Sequence, residues 1–99
     1  MARFDVHANR EGPGYLLDCQ ADILSDLNTR FVVPLLPPEY APPPSRRLNP
    51  RLSVQGEDVV MMTNFAASVP RSALGPRVQS IADPDSVIMN AFDMLLTGY

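Results

Sequence analysis

Phe4-Asp5-Val6-His7-Ala8, Gly12-Pro13-Gly14 and Tyr15-Leu16-Leu17-Asp18-Cys19-Gln20-Ala21 form the stretch that decides the fold. Phe4, Val6 and Ala8 alternate with the polar Asp5 and His7, and after the Gly-Pro-Gly signal the alternation resumes at Tyr15, Leu17, Cys19 and Ala21. A period of two puts one set of side chains on one face of a strand. Two such runs on either side of a turn signal predict a β-hairpin with one buried face. His7 falls on the polar side of the first strand, and Cys19 in the apolar phase of the second.

Downstream, Phe31-Val32-Val33-Pro34-Leu35-Leu36 is a continuous apolar run rich in β-branched residues, as expected of a strand covered on both faces. Pro34 cannot donate to a ladder, which predicts a bulge or a sheet edge there. From Pro37 to Pro50 the chain holds six prolines, which excludes regular helix and predicts a stiff, extended, polyproline-like surface loop. Leu52 and Val54, then Gly56-Glu57-Asp58, then Val59 to Thr63 predict a second hairpin.

The period changes in the last segment, where Val87, Ile88, Ala91, Phe92, Met94 and Leu95 fall on one side of a helix. Asp83 is placed to cap its free amides, Pro84 suits the first helical position and Asp85 lies favourably in the helix dipole. Gly98 stops it. The fold class is therefore mainly β with one C-terminal α-helix: a small antiparallel sheet or barrel, then the helix, as a single domain over 1–99.

A chain of 99 residues holds one core, and a domain of this size buries only roughly 60–65% of the surface its unfolded chain exposes. A self-complementary apolar face would add stability, so a homodimer is the default expectation. The 45% apolar content and near-zero mean hydropathy fit a soluble globular protein, and no run approaches the roughly 20 apolar residues of a membrane span. The start lacks a secretory pattern and the single cysteine cannot form an internal disulfide, so the expected compartment is cytoplasmic. With 8 basic residues, all arginine, against 11 acidic ones, the net charge of −3 opposes direct nucleic-acid binding.

Catalytic chemistry finds little support. His7 is the only histidine, Cys19 reads as a buried and inert thiol, and no CxxC, HxxxH or clustered His/Cys set points to a metal. Asp18, Asp22 and Asp26 read as solvated residues at a strand end and turn. Gly12-Pro13-Gly14 has a proline where a phosphate loop wants an amide. Neither an enzyme nor a cofactor is expected from these residues; they describe an interaction module.

Five stretches carry a resemblance: Cys19-Gln20-Ala21-Asp22-Ile23-Leu24, Phe31-Val32-Val33-Pro34-Leu35, Met61-Met62-Thr63, Ala67-Ser68-Val69-Pro70, and the C-terminal helix ending one residue beyond Gly98. In this order and spacing, nearly end to end, the chain resembles the CcdB toxins. The resemblance implies an SH3-like antiparallel barrel of the kind shared by the CcdB, MazF and Kid toxins, assembled as a homodimer with its helices and chain ends near the two-fold axis. It implies a toxin of a toxin–antitoxin system that binds the DNA gyrase A subunit and traps the cleaved-DNA complex. A cognate CcdA-like antitoxin would wrap and neutralise the dimer, by coupled folding and binding.

The gyrase-binding positions carried over by the resemblance are Ile23, Leu24, Asp93, Leu96, Thr97, Gly98 and Tyr99. The antitoxin contacts are not assigned to residues, although the Gly12-Pro13-Gly14 turn and the Pro37-to-Pro50 loop depart most from the family. A family member ends Phe-Trp-Gly-Ile where this chain ends Leu96-Thr97-Gly98-Tyr99, and has Asn at the position of Asp93. Losing a tryptophan anchor typically costs about 2 kcal/mol, roughly a thirtyfold loss of affinity. Tyr99 offers an aromatic surface two positions later. Two alternatives stand beside this reading. One is a MazF/Kid-like endoribonuclease using His7 with Arg30 or Arg71. The other is a toxin-derived protein that binds its antitoxin and assists repression of its own operon without acting on gyrase.

Overall fold

The computed structural model describes residues 2–40, 47–83 and 86–98. The first hairpin pairs β1 (Asp5–Asn9) with β2 (Tyr15–Asp18), Val6 opposite Leu17 and His7 opposite Leu16. Gly14 closes its loop at φ +78°, and a Cβ there would collide with the Leu35 carbonyl, so only glycine fits. β4 (Arg51–Val54) and β5 (Glu57–Met61) form the second hairpin. Its turn is Gln55-Gly56, both at positive φ, the two-residue form whose twist matches the strands. The turn thus sits one residue earlier than the Gly56-Glu57-Asp58 signal suggests.

β3 (Thr29–Leu36) is the centre of the sheet. One edge pairs with β2; the other pairs first with β6 (Ala67–Pro70), then with β5. Pro34 is therefore at neither a sheet edge nor a bulge. The Pro34 carbonyl accepts the Met62 N–H at 2.9 Å, so its nitrogen faces that same edge, where the neighbour changes from β6 to β5. The missing donor falls in the gap between two ladders, where the Met62 carbonyl accepts the Phe65 N–H at 2.8 Å instead.

The full order is β4-β5-β3-β2-β1-β7, with β7 spanning Leu74–Ser80 and β6 alongside β3. In a flat sheet, β6 and β7 would stand four strand spacings apart, roughly 19 Å. The chain joins Pro70 to Leu74 through the 3-10 turn Arg71–Ala73, and four residue steps reach at most about 14 Å. The sheet must curl, and it forms a half-barrel. Gly75 permits a close approach of β7 to β1: an added Cβ would lie 2.8 Å from the Ala8 carbonyl oxygen.

Curling covers both faces. On one, Val6, Leu17, Val33, Leu35, Val54, Val59 and Met61 pack against Ile88, Ala91 and Phe92 of α1 (Val87–Thr97). On the other, Leu16, Val32 and Leu74 cluster with Val69. His7 and Asp18 belong to this second face, and both are buried, contrary to their reading as outward-facing polar residues. The side of the strand predicted for each is the one observed; that side is simply not wet.

The helix spans Val87–Thr97, and Pro84 and Asp85 lie outside the described residues. Asp83 caps it as expected: its two carboxylate oxygens accept the Ile88 and Met89 amides at 3.0 and 3.3 Å. Gly98 ends it at φ +80°, donating to the Met94 carbonyl. Of the six residues on its predicted apolar side, Ile88, Ala91 and Phe92 are buried, Met94 is half-buried, and Val87 and Leu95 remain exposed.

Candidate functional site

After β2 the chain makes a 3-10 turn, Asp22–Leu24, that buries none of its own residues. Ile23 at its tip is 90% exposed, and Leu24 and Leu27 are also open to solvent. A short turn with no core contact needs other fastening, and four bonds provide it. The Asp22 carboxylate accepts the Arg3 N–H at 2.8 Å, and the Gln20 side-chain amide donates to the Leu24 carbonyl at 2.9 Å. The Arg71 guanidinium donates to the Ser25 carbonyl, and the Arg71 N–H donates to the Asn28 carbonyl.

Beneath the turn lies a buried ion pair. Arg30 donates through Nε and Nη2 to Asp18 Oδ2 at 2.9 and 2.6 Å, and neither side chain has any exposed surface. The other Asp18 oxygen accepts the Gln20 N–H at 3.1 Å. Asp18 is thus a structural anchor, not a solvated strand-end residue, because the curled sheet closes over it. Asp22 and Asp26 are exposed as expected.

The second exposed group lies at the helix end. Leu96 is 76% exposed, and Asp93, Thr97 and Gly98 are open to solvent; Tyr99 lies outside the described residues. The Thr97 hydroxyl donates to the Asp93 carbonyl at 2.7 Å, so it is spent on its own helix. An open groove of about 250 Å³ runs between the helix residues Met89, Phe92, Leu95 and Leu96 and, facing them, Arg3, Cys19 and Phe31. Arg3 links the two groups: its backbone holds Asp22, while its guanidinium lies 4.6 Å from the Phe4 ring centroid and reaches Met89 Sδ at 2.9 Å. Phe4 is itself at φ +67°, an unusual conformation for an aromatic residue, and turns the chain at this point.

Cys19 is half-buried in this groove. Burial first, and the neighbouring Asp18 charge second, push its thiol up to about 12. It is protonated at neutral pH, in keeping with an inert thiol.

The residues assigned to RNA cleavage are badly placed for it. His7 is buried, with Nδ1 bonded to the Gly75 carbonyl at 3.0 Å, and Arg30 is sealed against Asp18. Arg71 is exposed, but its guanidinium is engaged by Ser25. Among the described residues no group of three or more His, Cys, Asp or Glu is placed to hold a metal ion, and no helix is long and apolar enough to cross a membrane.

Ile23 and Leu24, then, sit on one fastened turn, and Asp93, Leu96, Thr97 and Gly98 on one helix end, with Arg3 joining the elements. Gln20, Arg71 and the Asp18–Arg30 pair carry no local sequence motif for their roles; two charges of opposite sign in otherwise apolar strands are the one visible signal. The sequence model of a protein family described as CcdB protein matches residues 3–98, and the chain therefore belongs to the CcdB family, the toxin side of toxin–antitoxin pairs.

Proposed function

We propose that this protein is a homodimeric toxin that binds the DNA gyrase A subunit, holds the enzyme with its DNA cleaved, and is neutralised by a cognate CcdA-like antitoxin. The observation that carries the reading is the exposure of Ile23 and Leu96, two large aliphatic side chains left in water on fastened backbone. Fully burying such a side chain contributes about 1.5–3 kcal/mol, a gain forgone in the isolated chain and recoverable in a complex. Both lie at positions where the family resemblance puts gyrase contacts.

Dimerisation is supported by the apolar groove beside α1, with Met89 and Leu95 exposed along it. A second copy seated there about a two-fold axis would bring two Leu96–Gly98 ends together as one composite surface. The toxin then acts as a wedge: binding energy stabilises the cleaved intermediate, and no proton transfer is required of it. The burial of His7 and Arg30 weighs against the endoribonuclease reading.

The test incubates the purified protein with gyrase from the same source organism, ATP and supercoiled plasmid, and scores stabilised double-strand breaks. Accumulating linear DNA is the expected result. No linear DNA, with gyrase activity unaffected, would mean that the fold is kept and the target changed, as in the antitoxin-binding alternative.

A further inference from the structure

We infer that Gln20 is a positioning residue that sets the Ile23–Leu24 turn for its target; the inference rests on the gyrase reading above. Gln20 is buried, and each end of its amide has one use. Oε1 accepts the Phe31 N–H at 2.9 Å, and Nε2 donates to the Leu24 carbonyl at 2.9 Å. A backbone amide must meet oxygen and a backbone carbonyl must meet N–H, so the orientation of the side chain is fixed by its partners.

The Phe31 bond takes the place of a ladder bond at the point where β2 has ended, one residue beyond the Cys19 N–H to Phe31 carbonyl bond of 2.9 Å. Gln20 therefore extends the registry of the rigid sheet by one side chain and delivers it to the turn. Its own backbone is held from below by Asp18, which Arg30 clamps. The sequence Arg30, Asp18, Gln20, Leu24 connects a sealed ion pair to an exposed apolar tip. Such fastening lowers the ordering cost that a mobile tip would incur on binding. The turn's own bonds, Leu24 N–H to the Ala21 carbonyl at 3.0 Å and Ser25 N–H to the Asp22 carbonyl at 3.1 Å, report directly whether it is formed.

The experiment uses the full chain carrying Gln20→Met, which keeps length and bulk but loses both bonds, and Gln20→Glu, which keeps an acceptor for Phe31 and loses the amide donor. Val59→Ala serves as a core-destabilised reference remote in sequence from the turn. Binding to the purified gyrase A subunit is measured alongside amide hydrogen exchange. Both Gln20 variants are expected to weaken gyrase A binding by roughly tenfold, as for one lost hydrogen bond plus a freed turn, and to speed exchange at Leu24 and Ser25. Val59→Ala should leave both readouts near wild type. Binding within about twofold of wild type in folded Gln20 variants, or an equal loss in Val59→Ala, overturns the inference, since ordinary stability would then account for everything. Should the unmodified protein not bind gyrase A at all, the gyrase reading falls by itself. Exchange at Leu24 and Ser25 then decides the positioning role: faster exchange in both variants keeps it, and unchanged exchange removes it.

Discussion

Replacing Arg30 by Met leaves the Asp18 carboxylate sealed in the sheet without its counter-ion. The size of the penalty follows from the geometry. Both side chains have no exposed surface, and two charge-assisted bonds of 2.9 and 2.6 Å join them. Removing one partner of such a pair typically costs about 3–5 kcal/mol, because an uncompensated charge stays buried. For a domain of this length that corresponds to a fall in Tm of roughly 15–30 °C, a large share of a total stability of about 5–15 kcal/mol. The double variant Asp18→Leu with Arg30→Met removes both charges and should regain most of the loss. Urea and thermal unfolding at matched protein concentration measure this, since any self-association would make the apparent stability depend on concentration. A loss below about 1 kcal/mol for Arg30→Met is what an exposed pair gives. It would show that water reaches this face and that the curled sheet does not enclose it.

Three further outcomes follow from particular residues. Ile23→Asp should abolish gyrase-dependent DNA cleavage while changing stability by no more than about 0.5 kcal/mol, as for an exposed site; cleavage at the wild-type level would remove the turn from the contact surface. For Asp5, burial raises the carboxyl pKa, but bonds from Ser80, the Ala2 amide and Arg77 outweigh it and hold the group below its ordinary 3.8. A depressed carboxyl stabilises the fold above the ordinary value and loses that contribution as pH falls through the depressed one. The destabilisation by Asp5→Asn should therefore be full at neutral pH and shrink in acid, and a cost that is flat with pH would refute this account. Cys19, its thiol raised to about 12, should resist aromatic disulfide reagents in the native protein at mildly alkaline pH and react once unfolded; rapid native labelling would contradict the burial.

The burial of His7 and the placement of Pro34 both depend on what lies beside the strand rather than within it. Alternation along Phe4 to Ala8 identifies which side chains share a face, and the observed pairing of Val6 with Leu17 and His7 with Leu16 agrees with it. It carries no information about what lies above that face. Here the short link from Pro70 to Leu74 draws β7 round toward β6, so the polar face is enclosed and Asp18 meets Arg30 inside it. Pro34 likewise looks incompatible with a central strand until the hand-over from β6 to β5 places its nitrogen in a gap. The candidate site divides in the same way. Ile23, Leu24, Leu96 and Gly98 were reachable from the family resemblance, whereas Gln20 and Arg71 act through bonds to backbone atoms distant in space or sequence, which leave no periodic mark.

Turn chemistry, capping and side-chain period act over a few residues, so the two hairpins, the helix, its Asp83 cap and its Gly98 stop are legible in the amino-acid order, and the match over residues 3–98 adds membership of the CcdB family. Which apolar residues stay in water depends instead on how the elements pack. Val87 and Leu95 on the helix's apolar side and the tip of the Asp22–Leu24 turn remain exposed because the curled sheet offers one seat of limited area, which Ile88, Ala91 and Phe92 fill. What lies beyond that seat stays in water.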